Sequence, residues 1–284
     1  MESVVVAGVD WPGTLAAAAD RACASLELVD RERWSETVGV GADGTPTAAI
    51  DAAAEAALLD YLADALPGAT LCSEEAGIVA GAEAGAGSGF LLVVDPVDGT
   101  NNLLAGIPYW AVSIGVSSGA GALGGLVRDG ATGEDFFGWA GHGLCRGGAA
   151  AATSAVTALS EAAVALQRPA DPGALDRGRR MFEACRLPRV LGAAALDLAL
   201  VATGALDAYV NVNTDPALPF GERVVDYAAG ATLVQIGGGV VSDATGAPVT
   251  VDADLSRRTP LVAAATPSLH AQILERLHRE RELT

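Results

Sequence analysis

The sequence predicts an α/β protein whose two halves are built differently. Three observations carry this. Phe90-Leu91-Leu92-Val93-Val94 is an unbroken apolar run, which reads as a strand buried on both faces. Residues 109–116, 123–128 and 134–139 read as antiparallel strands, punctuated by Ser118-Gly119 and Asp129-Gly130 at hairpin turns. From residue 172 onward, helical and strand patterns alternate, as in an α/β layer.

Taken in order, residues 11–28 are Ala-rich with helical spacing and predict an N-terminal helix. Residues 34–40 predict a strand. Thr45-Pro46-Thr47 then reads as a helix start, with Thr as cap and Pro in the first turn. That helix carries Asp51, Leu58, Leu59 and Leu62. Residues 70–73 predict a short strand and 78–88 a mobile Gly/Ala-rich loop. After the antiparallel strands, the small-residue stretch 147–153 marks a candidate joint. Beyond it, helices are predicted at 172–185, 193–202, 224–235 and 269–282, and strands at 189–191, 206–212, 239–242 and 261–264. No repeat of solenoid period is present.

Composition narrows the function classes. The 284 residues suffice for one large domain or two small ones, and 51% are hydrophobic, which excludes wholesale disorder. Seventeen basic against 35 acidic residues leave a net charge of -18, and every basic residue is Arg. A chain this acidic argues against a duplex nucleic-acid binder and against binding to anionic membranes. Abundant acid, no Lys and much Ala, Gly and Val resemble proteins of salt-loving archaea; a codon bias toward Arg and Ala gives the same pattern. Cys23, Cys72, Cys145 and Cys185 form no C-x-x-C pair and read as free thiols in a reducing cytoplasm. No basic segment followed by an apolar stretch opens the chain, so no signal peptide is read. Residues 99–127 carry no charge and are long enough to span a membrane, but Asn101, Asn102, Pro108, Ser113 and repeated Gly break the run. It reads as a short helix followed by core strands.

The chemistry centres on Asp95-Pro96-Val97-Asp98-Gly99-Thr100. Two carboxylates three residues apart sit where a buried strand ends in a turn; Pro96 stiffens that turn and Gly99 lets the backbone bend toward a ligand. The segment after Gly99 reads as helical, so its first N–H groups would face an anion. Carboxylate oxygens suit a hard cation such as Mg²⁺, and two such ions can clamp the attacking and leaving oxygens of a phosphoryl transfer. Further ligand candidates are Glu74 and Glu75, just after a strand, and Asp226, near a helix start. Asp-x-x-Asp is also a common turn and helix cap, and Asp226 could simply cap its helix. His142, His270 and His278 build no metal site; the last two share a helix expected to be solvated. No Ser, Cys or His nucleophile has a supporting constellation.

Asp95-Pro96-Val97-Asp98-Gly99-Thr100-Asn101-Asn102-Leu103 resembles the D-P-[IVL]-D-G-T-x-N-F signature of the inositol monophosphatase family. Residues 106–115, from Gly106-Ile107-Pro108 to Ile114-Gly115, continue the likeness. Val225-Asp226-Tyr227-Ala228-Ala229-Gly230 through Gly237-Gly238-Gly239 resembles its second signature. Ser73-Glu74-Glu75 is similar to its G-E-E segment, and Arg189-Val190-Leu191-Gly192 with Ala193-Ala194-Ala195 to its R-x-x-G-[ST]-A-A stretch. Gly41 to Thr47, with Ile50-Asp51, resembles the archaeal branch, which acts on inositol monophosphate and fructose 1,6-bisphosphate. The motifs keep the family's order from about residue 40 to 250.

The resemblance implies a layered α/β/α/β/α sandwich of the sugar phosphatase type. Residues 1–150 would form an α+β half carrying most metal ligands, and 151–284 an α/β half completing the substrate site. Glu74, Asp95, the Val97 carbonyl, Asp98 and Asp226 would hold two or three Mg²⁺, with Asp95 bridging. Asp51 with Thr100, supported by Glu74, would activate the attacking water, and the amides of Gly99 and Thr100 would hold the phosphate. Gly192, Ala193 and Arg223 would meet the substrate. It further implies a lithium-sensitive homodimer that forms no phosphoenzyme, in the cytoplasm that the free thiols already suggest. The alternatives are a phosphatase of 3'-phosphoadenosine 5'-phosphate or NADP, or a catalytically silent metal-binding relative.

The chain departs from the pattern in places. Leu103 replaces Phe, a packing change. Asn101 replaces a more usual Thr or Tyr. Ala193 stands where Ser or Thr often contacts the substrate ring. No Lys is available in the loop before Asp51. Arg223 would meet a second phosphate or a sugar hydroxyl, or pair with Glu222 at the surface; the sequence leaves both open.

Overall fold

Leu15, Ala18, Ala19, Ala22 and Leu26 recur at helical spacing, and that stripe is buried in α1 (Trp11–Leu26), which follows two short strands, β1 (Val5–Val6) and β2 (Val9–Asp10). The computed structural model describes residues 4–42, 44–79, 89–119, 121–215, 218 and 220–278. A hairpin of β3 (Thr37–Val40) and β4 (Pro46–Ala48) leads into α2 (Ala49–Ala65), whose Ile50, Ala54, Leu58 and Leu62 form a second buried stripe packed against α1.

Next come β5 (Thr70–Ser73), β6 (Gly77–Val79), β7 (Phe90–Asp98), the short helix α3 (Thr100–Leu104), β8 (Ala111–Ser118), β9 (Gly121–Asp129), β10 (Asp135–Trp139), β11 (Gly143–Arg146) and β12 (Ala149–Ala151). Strands β5 to β12 form one eight-stranded sheet in the order β12-β11-β10-β9-β8-β7-β5-β6, antiparallel except between β5 and β7. The remaining chain runs β13 (Ala163–Leu166), α4 (Pro172–Ala184), β14 (Leu187–Arg189), α5 (Ala194–Ala202), β15 (Ala208–Val210), α6 (Val224–Ile236), β16 (Val240–Asp243), β17 (Leu261–Ala264) and α7 (Pro267–His278). Its five strands order as β14-β13-β15-β17-β16, with β13 parallel to both neighbours.

Three apolar clusters stack these elements in five layers, as the resemblance implied. One lies between the α1–α2 pair and the large sheet, one around α5 and α6 between the two sheets, and one under α4 and α7. Helix α6 lies close on β8: a Cβ on Gly115 would stand 2.9 Å from the Ala228 Cβ, so this position admits no side chain.

Several expectations are corrected. Trp34 follows a 3-10 turn (Arg31–Arg33), and the strand begins only at Thr37. Pro46 is not in the first turn of α2 but in β4, on a two-stranded ribbon that tolerates a missing N–H; the N-cap is Ala48. The strand expected at 189–191 lies two residues earlier, and the candidate joint at 147–153 contains β12. Strand β13 was not anticipated: Ala-Val-Ala-Leu offers no alternation because it is enclosed on both sides. The mobile loop expected at 78–88 begins as β6, and 80–88 lie outside the described residues, as does the end of the last helix. Residues 99–127 form α3, β8 and most of β9; among the described residues no helix is long and apolar enough to cross a membrane. His270 is buried, not solvated, its Nε2 2.8 Å from Ser242 Oγ. All four cysteines are free.

Candidate active site

Strand β7 keeps register with β8 up to Asp95, loses it, and resumes at Asp98. The irregularity covers Pro96 and Val97, and Asp95, Val97 and Asp98 all line one cavity. Gly99 then takes φ +94°, where a Cβ would lie 3.1 Å from Ala193 Cβ and 3.2 Å from the Tyr109 carbonyl. Only glycine fits both the dihedral and the space.

Asp95 is 2% exposed, and its Oδ1 accepts from the Val97 amide at 3.0 Å. Asp98 reaches across to the second half. Its Oδ2 accepts from the Ala195 amide at 2.7 Å and its Oδ1 from Ala194 at 3.2 Å, at the start of α5. Asp51 comes from the first turn of α2, where its Oδ1 accepts from the Thr100 hydroxyl at 3.0 Å. Asp226 sits in the first turn of α6 and accepts from the Arg223 amide at 2.6 Å, so it does cap its helix while also facing the cavity.

Glu74 follows β5 in a loop whose anchor was not read from the sequence. Glu55, buried in the middle of α2, accepts from the Ser73 hydroxyl and from the amides of Glu75 at 3.1 Å and Ala76 at 3.0 Å. Thr47 donates to Glu75. The Ser73 that replaces the family's Gly is therefore part of the anchor. Glu222 and Asp197 were missed as well. Glu222 is 4% exposed and accepts from Tyr209, from Asn211 Nδ2 and from Gln167 Nε2, while Asp197 accepts from Tyr109 at 2.5 Å. A chain with 35 acidic residues carries no local mark that distinguishes these from solvated ones.

The cavity gathers Asp51, Glu74, Asp95, Val97, Asp98, Gly99, Thr100, Gly192, Arg223 and Asp226. It continues into a second cavity lined by Asn102, Arg168, Asn213 and Arg258, and the two share Gly192, Glu222 and Arg223. Ala193 is the exception among the anticipated residues. It is 1% exposed and packs under Gly99, so its side chain offers the cavity no contact. Arg223 does not pair with Glu222 at the surface: its Nη1 lies 2.6 Å from Glu74 Oε1 and its Nη2 3.2 Å from Asp226 Oδ1.

Burial pushes the Asp95 carboxyl well above the usual range, and Glu74, Asp98 and Asp226 push it further. Burial and then Asp226 raise Asp98, against the pull of the Ala195 amide. Burial raises Asp51 to about 7 despite the Thr100 hydrogen bond. Glu222 and Asp197 also rise to about 7, each mainly through burial. Burial works against charge on Arg223, but Asp226, Glu74 and Asp95 outweigh it and hold the guanidinium protonated.

The donor chemistry fits a hard divalent cation. All the groups are oxygen donors, and their mutual repulsion is what a cation would relieve. Among the described residues no three His, Cys, Asp or Glu side chains stand as a ready-made metal cage. In this arrangement the Arg223 guanidinium supplies the counter-charge between Glu74 and Asp226.

Comparison with known proteins gives the family and the fold. Residues 13–282 match the inositol monophosphatase family as a whole. A fructose-1,6-bisphosphatase/inositol-1-monophosphatase of Methanothermobacter thermautotrophicus is 32% identical over 94% of this chain and 96% of its own length. A bifunctional NADP phosphatase/NAD kinase of Methanococcus maripaludis is 31% identical over 87% of this chain, but over only 45% of its own length. The structure of inositol monophosphatase from Anabaena (Nostoc) superposes with a TM-score of 0.75 at 25% identity, covering 95% of this chain and 96% of that one. The family is generally magnesium-dependent. The chain belongs to the inositol monophosphatase family and is a phosphoric monoester hydrolase.

Proposed function

We propose that the protein hydrolyses phosphate monoesters of small polyols or sugars, with inositol 1-phosphate and fructose 1,6-bisphosphate as leading substrates. The observation that carries this reading is the Asp51–Thr100 pair, which opens onto the same cavity as Glu74, Asp95, Asp98 and Asp226. Glu74, Asp95, the Val97 carbonyl, Asp98 and Asp226 would hold two or three Mg²⁺, with Asp95 shared between ions. Bound magnesium supplies Lewis-acid stabilisation of phosphoryl charge and makes water a better nucleophile. Asp51, through Thr100, orients that water and takes its proton, and a carboxyl raised to about 7 suits a base at neutral pH. The amides of Gly99 and Thr100 hold the phosphate. Gly192 and Arg223 line the wall on the side where the alcohol would leave. Positioning and charge stabilisation dominate, with no covalent intermediate on the protein.

In this reading residues 1–150 bring most of the metal ligands and 151–284 complete the substrate site. The protein works as a cytoplasmic homodimer adapted to salt; four free thiols and a net charge of -18 support the compartment and the salt. The relative named as an NADP phosphatase favours 2'-phosphorylated nucleotides as the second substrate class.

The test is phosphate release from a panel of inositol 1-phosphate, fructose 1,6-bisphosphate, 3'-phosphoadenosine 5'-phosphate and NADP, with Mg²⁺ and in chelator. Release of phosphate from inositol 1-phosphate or fructose 1,6-bisphosphate only with Mg²⁺ supports the reading. No release from any of the four overturns it.

A further inference from the structure

Arg223 is held on one edge of the carboxylate cluster by three contacts. Nη1 reaches Glu74 Oε1 at 2.6 Å, Nη2 reaches Asp226 Oδ1 at 3.2 Å, and Nε reaches Asp226 Oδ2 at 3.4 Å. The arginine side chain is 20% exposed and its partners 17% and 11%, so water screens these pairs far less than it does surface ion pairs. Each contact uses carboxylate lone pairs that a divalent cation would need.

We propose that Arg223 is a built-in competitor for the divalent cation. It ties Glu74 to Asp226 until a cation binds, then gives up both carboxylates. The proposal rests on the reading of Glu74 and Asp226 as metal ligands. Arg223 already holds Glu74 Oε1 and both Asp226 oxygens, so a cation that binds through these atoms meets a fixed positive charge on the same lone pairs, and the two compete. The guanidinium has somewhere to go. Residue 223 also lines the second cavity, where Arg168 and Arg258 already stand. Release from the two carboxylates therefore frees the charge of Arg223 to act with Arg168 and Arg258 on an anion there, which couples metal occupancy to anion binding. The cost is intrinsic metal affinity, and the gain is a stable fold before the metal arrives.

The experiment is calorimetric titration of the full-length protein with Mg²⁺, together with thermal melts in chelator and in Mg²⁺. It compares the native chain with Arg223→Gln and Arg223→Lys. Arg223→Gln is expected to bind Mg²⁺ about 5- to 100-fold more tightly, the range usual for coupled sites. It should also melt lower in chelator, with the deficit shrinking in Mg²⁺. Arg223→Lys keeps the charge without the planar fork and should fall between the two. A purely structural arginine would lower both melting points equally and leave Mg²⁺ affinity unchanged. Unchanged or weaker Mg²⁺ binding in folded Arg223→Gln, or in Arg223→Lys should the first variant not fold, overturns the proposal alone. No Mg²⁺ binding by any of the three proteins overturns the ligand assignment and the proposal with it.

Discussion

Asp51 and Thr100, 49 positions apart, share a 3.0 Å hydrogen bond through a hydroxyl that has two acceptors within reach. Thr100 Oγ1 also lies 3.0 Å from the Val97 carbonyl, yet it carries one proton. With Asp51 protonated, the carboxyl donates to Thr100 and Thr100 donates to Val97. With Asp51 ionised, Thr100 turns to the carboxylate. A pKa near 7 lets both arrangements exist at neutral pH.

Asp51→Asn and Thr100→Val should each lower kcat about 10²- to 10⁴-fold, the usual contribution of a positioned acid–base group. Mg²⁺ affinity should stay within a few-fold of the native value. The rate of the native enzyme should rise with pH up to about 7 as Asp51 ionises, and Asp51→Asn should lose that limb. A pH–rate profile checks both.

Asp95→Asn should have opposite effects on activity and on metal-free stability. In the proposed reading it removes the ligand shared between ions, so Mg²⁺-dependent turnover should vanish. It also removes a buried carboxylate that its surroundings resist charging, while an amide oxygen can still accept from Val97. The variant should melt higher than the native chain in chelator at pH 8, and Mg²⁺ should raise its melting point less.

Much of this chemistry was legible in the sequence. The apolar run before Asp95 marks a strand end, and the Asp-Pro-Val-Asp-Gly-Thr turn marks the cavity. Asp51 and Asp226 fall where helix starts were expected. Glu55 was not legible, because a Glu in an Ala-rich helix looks solvated until β5 is laid beside it. Glu222 and Asp197 were hidden for the same reason: their partners are set by the fold, Asp197 meeting Tyr109 across 88 positions and Glu222 meeting Tyr209 across 13. Pro46 misled because proline suits a helix's first turn and an edge strand equally well. Ala193 follows Gly192, which does line the cavity, but one residue later the chain enters α5 and turns the methyl inward.

The metal-free protein should lose stability as pH rises from about 5 to 8. Asp51, Asp197 and Glu222 stand at about 7 when folded, against 3.8 for Asp and 4.5 for Glu ordinarily, and Asp95 and Asp98 are raised too. Through this window the folded state binds more protons than the unfolded state, so their stabilisation is complete below about 4 and is lost as pH climbs through 7. Melts in chelator should show the fall, and saturating Mg²⁺ should lessen the share that comes from Asp95 and Asp98 by favouring their ionised forms.

Glu55→Ala should loosen the Glu74 loop without touching the cavity. Three donors, the Ser73 hydroxyl and the amides of Glu75 and Ala76, lose their acceptor. Mg²⁺ affinity should fall about 10- to 100-fold, as for other supports of metal ligands. Glu55→Gln, which keeps one acceptor oxygen, should lose less; titration calorimetry on the two variants separates them.

The most direct measurement is anomalous diffraction from crystals soaked in Mn²⁺, a scatterer that takes the same oxygen ligands as Mg²⁺. Peaks should appear between Glu74, Asp95, Asp98 and Asp226, with Asp95 in contact with more than one. A map with no peak among these four carboxylates, or with manganese bound only at surface acids, would contradict the account.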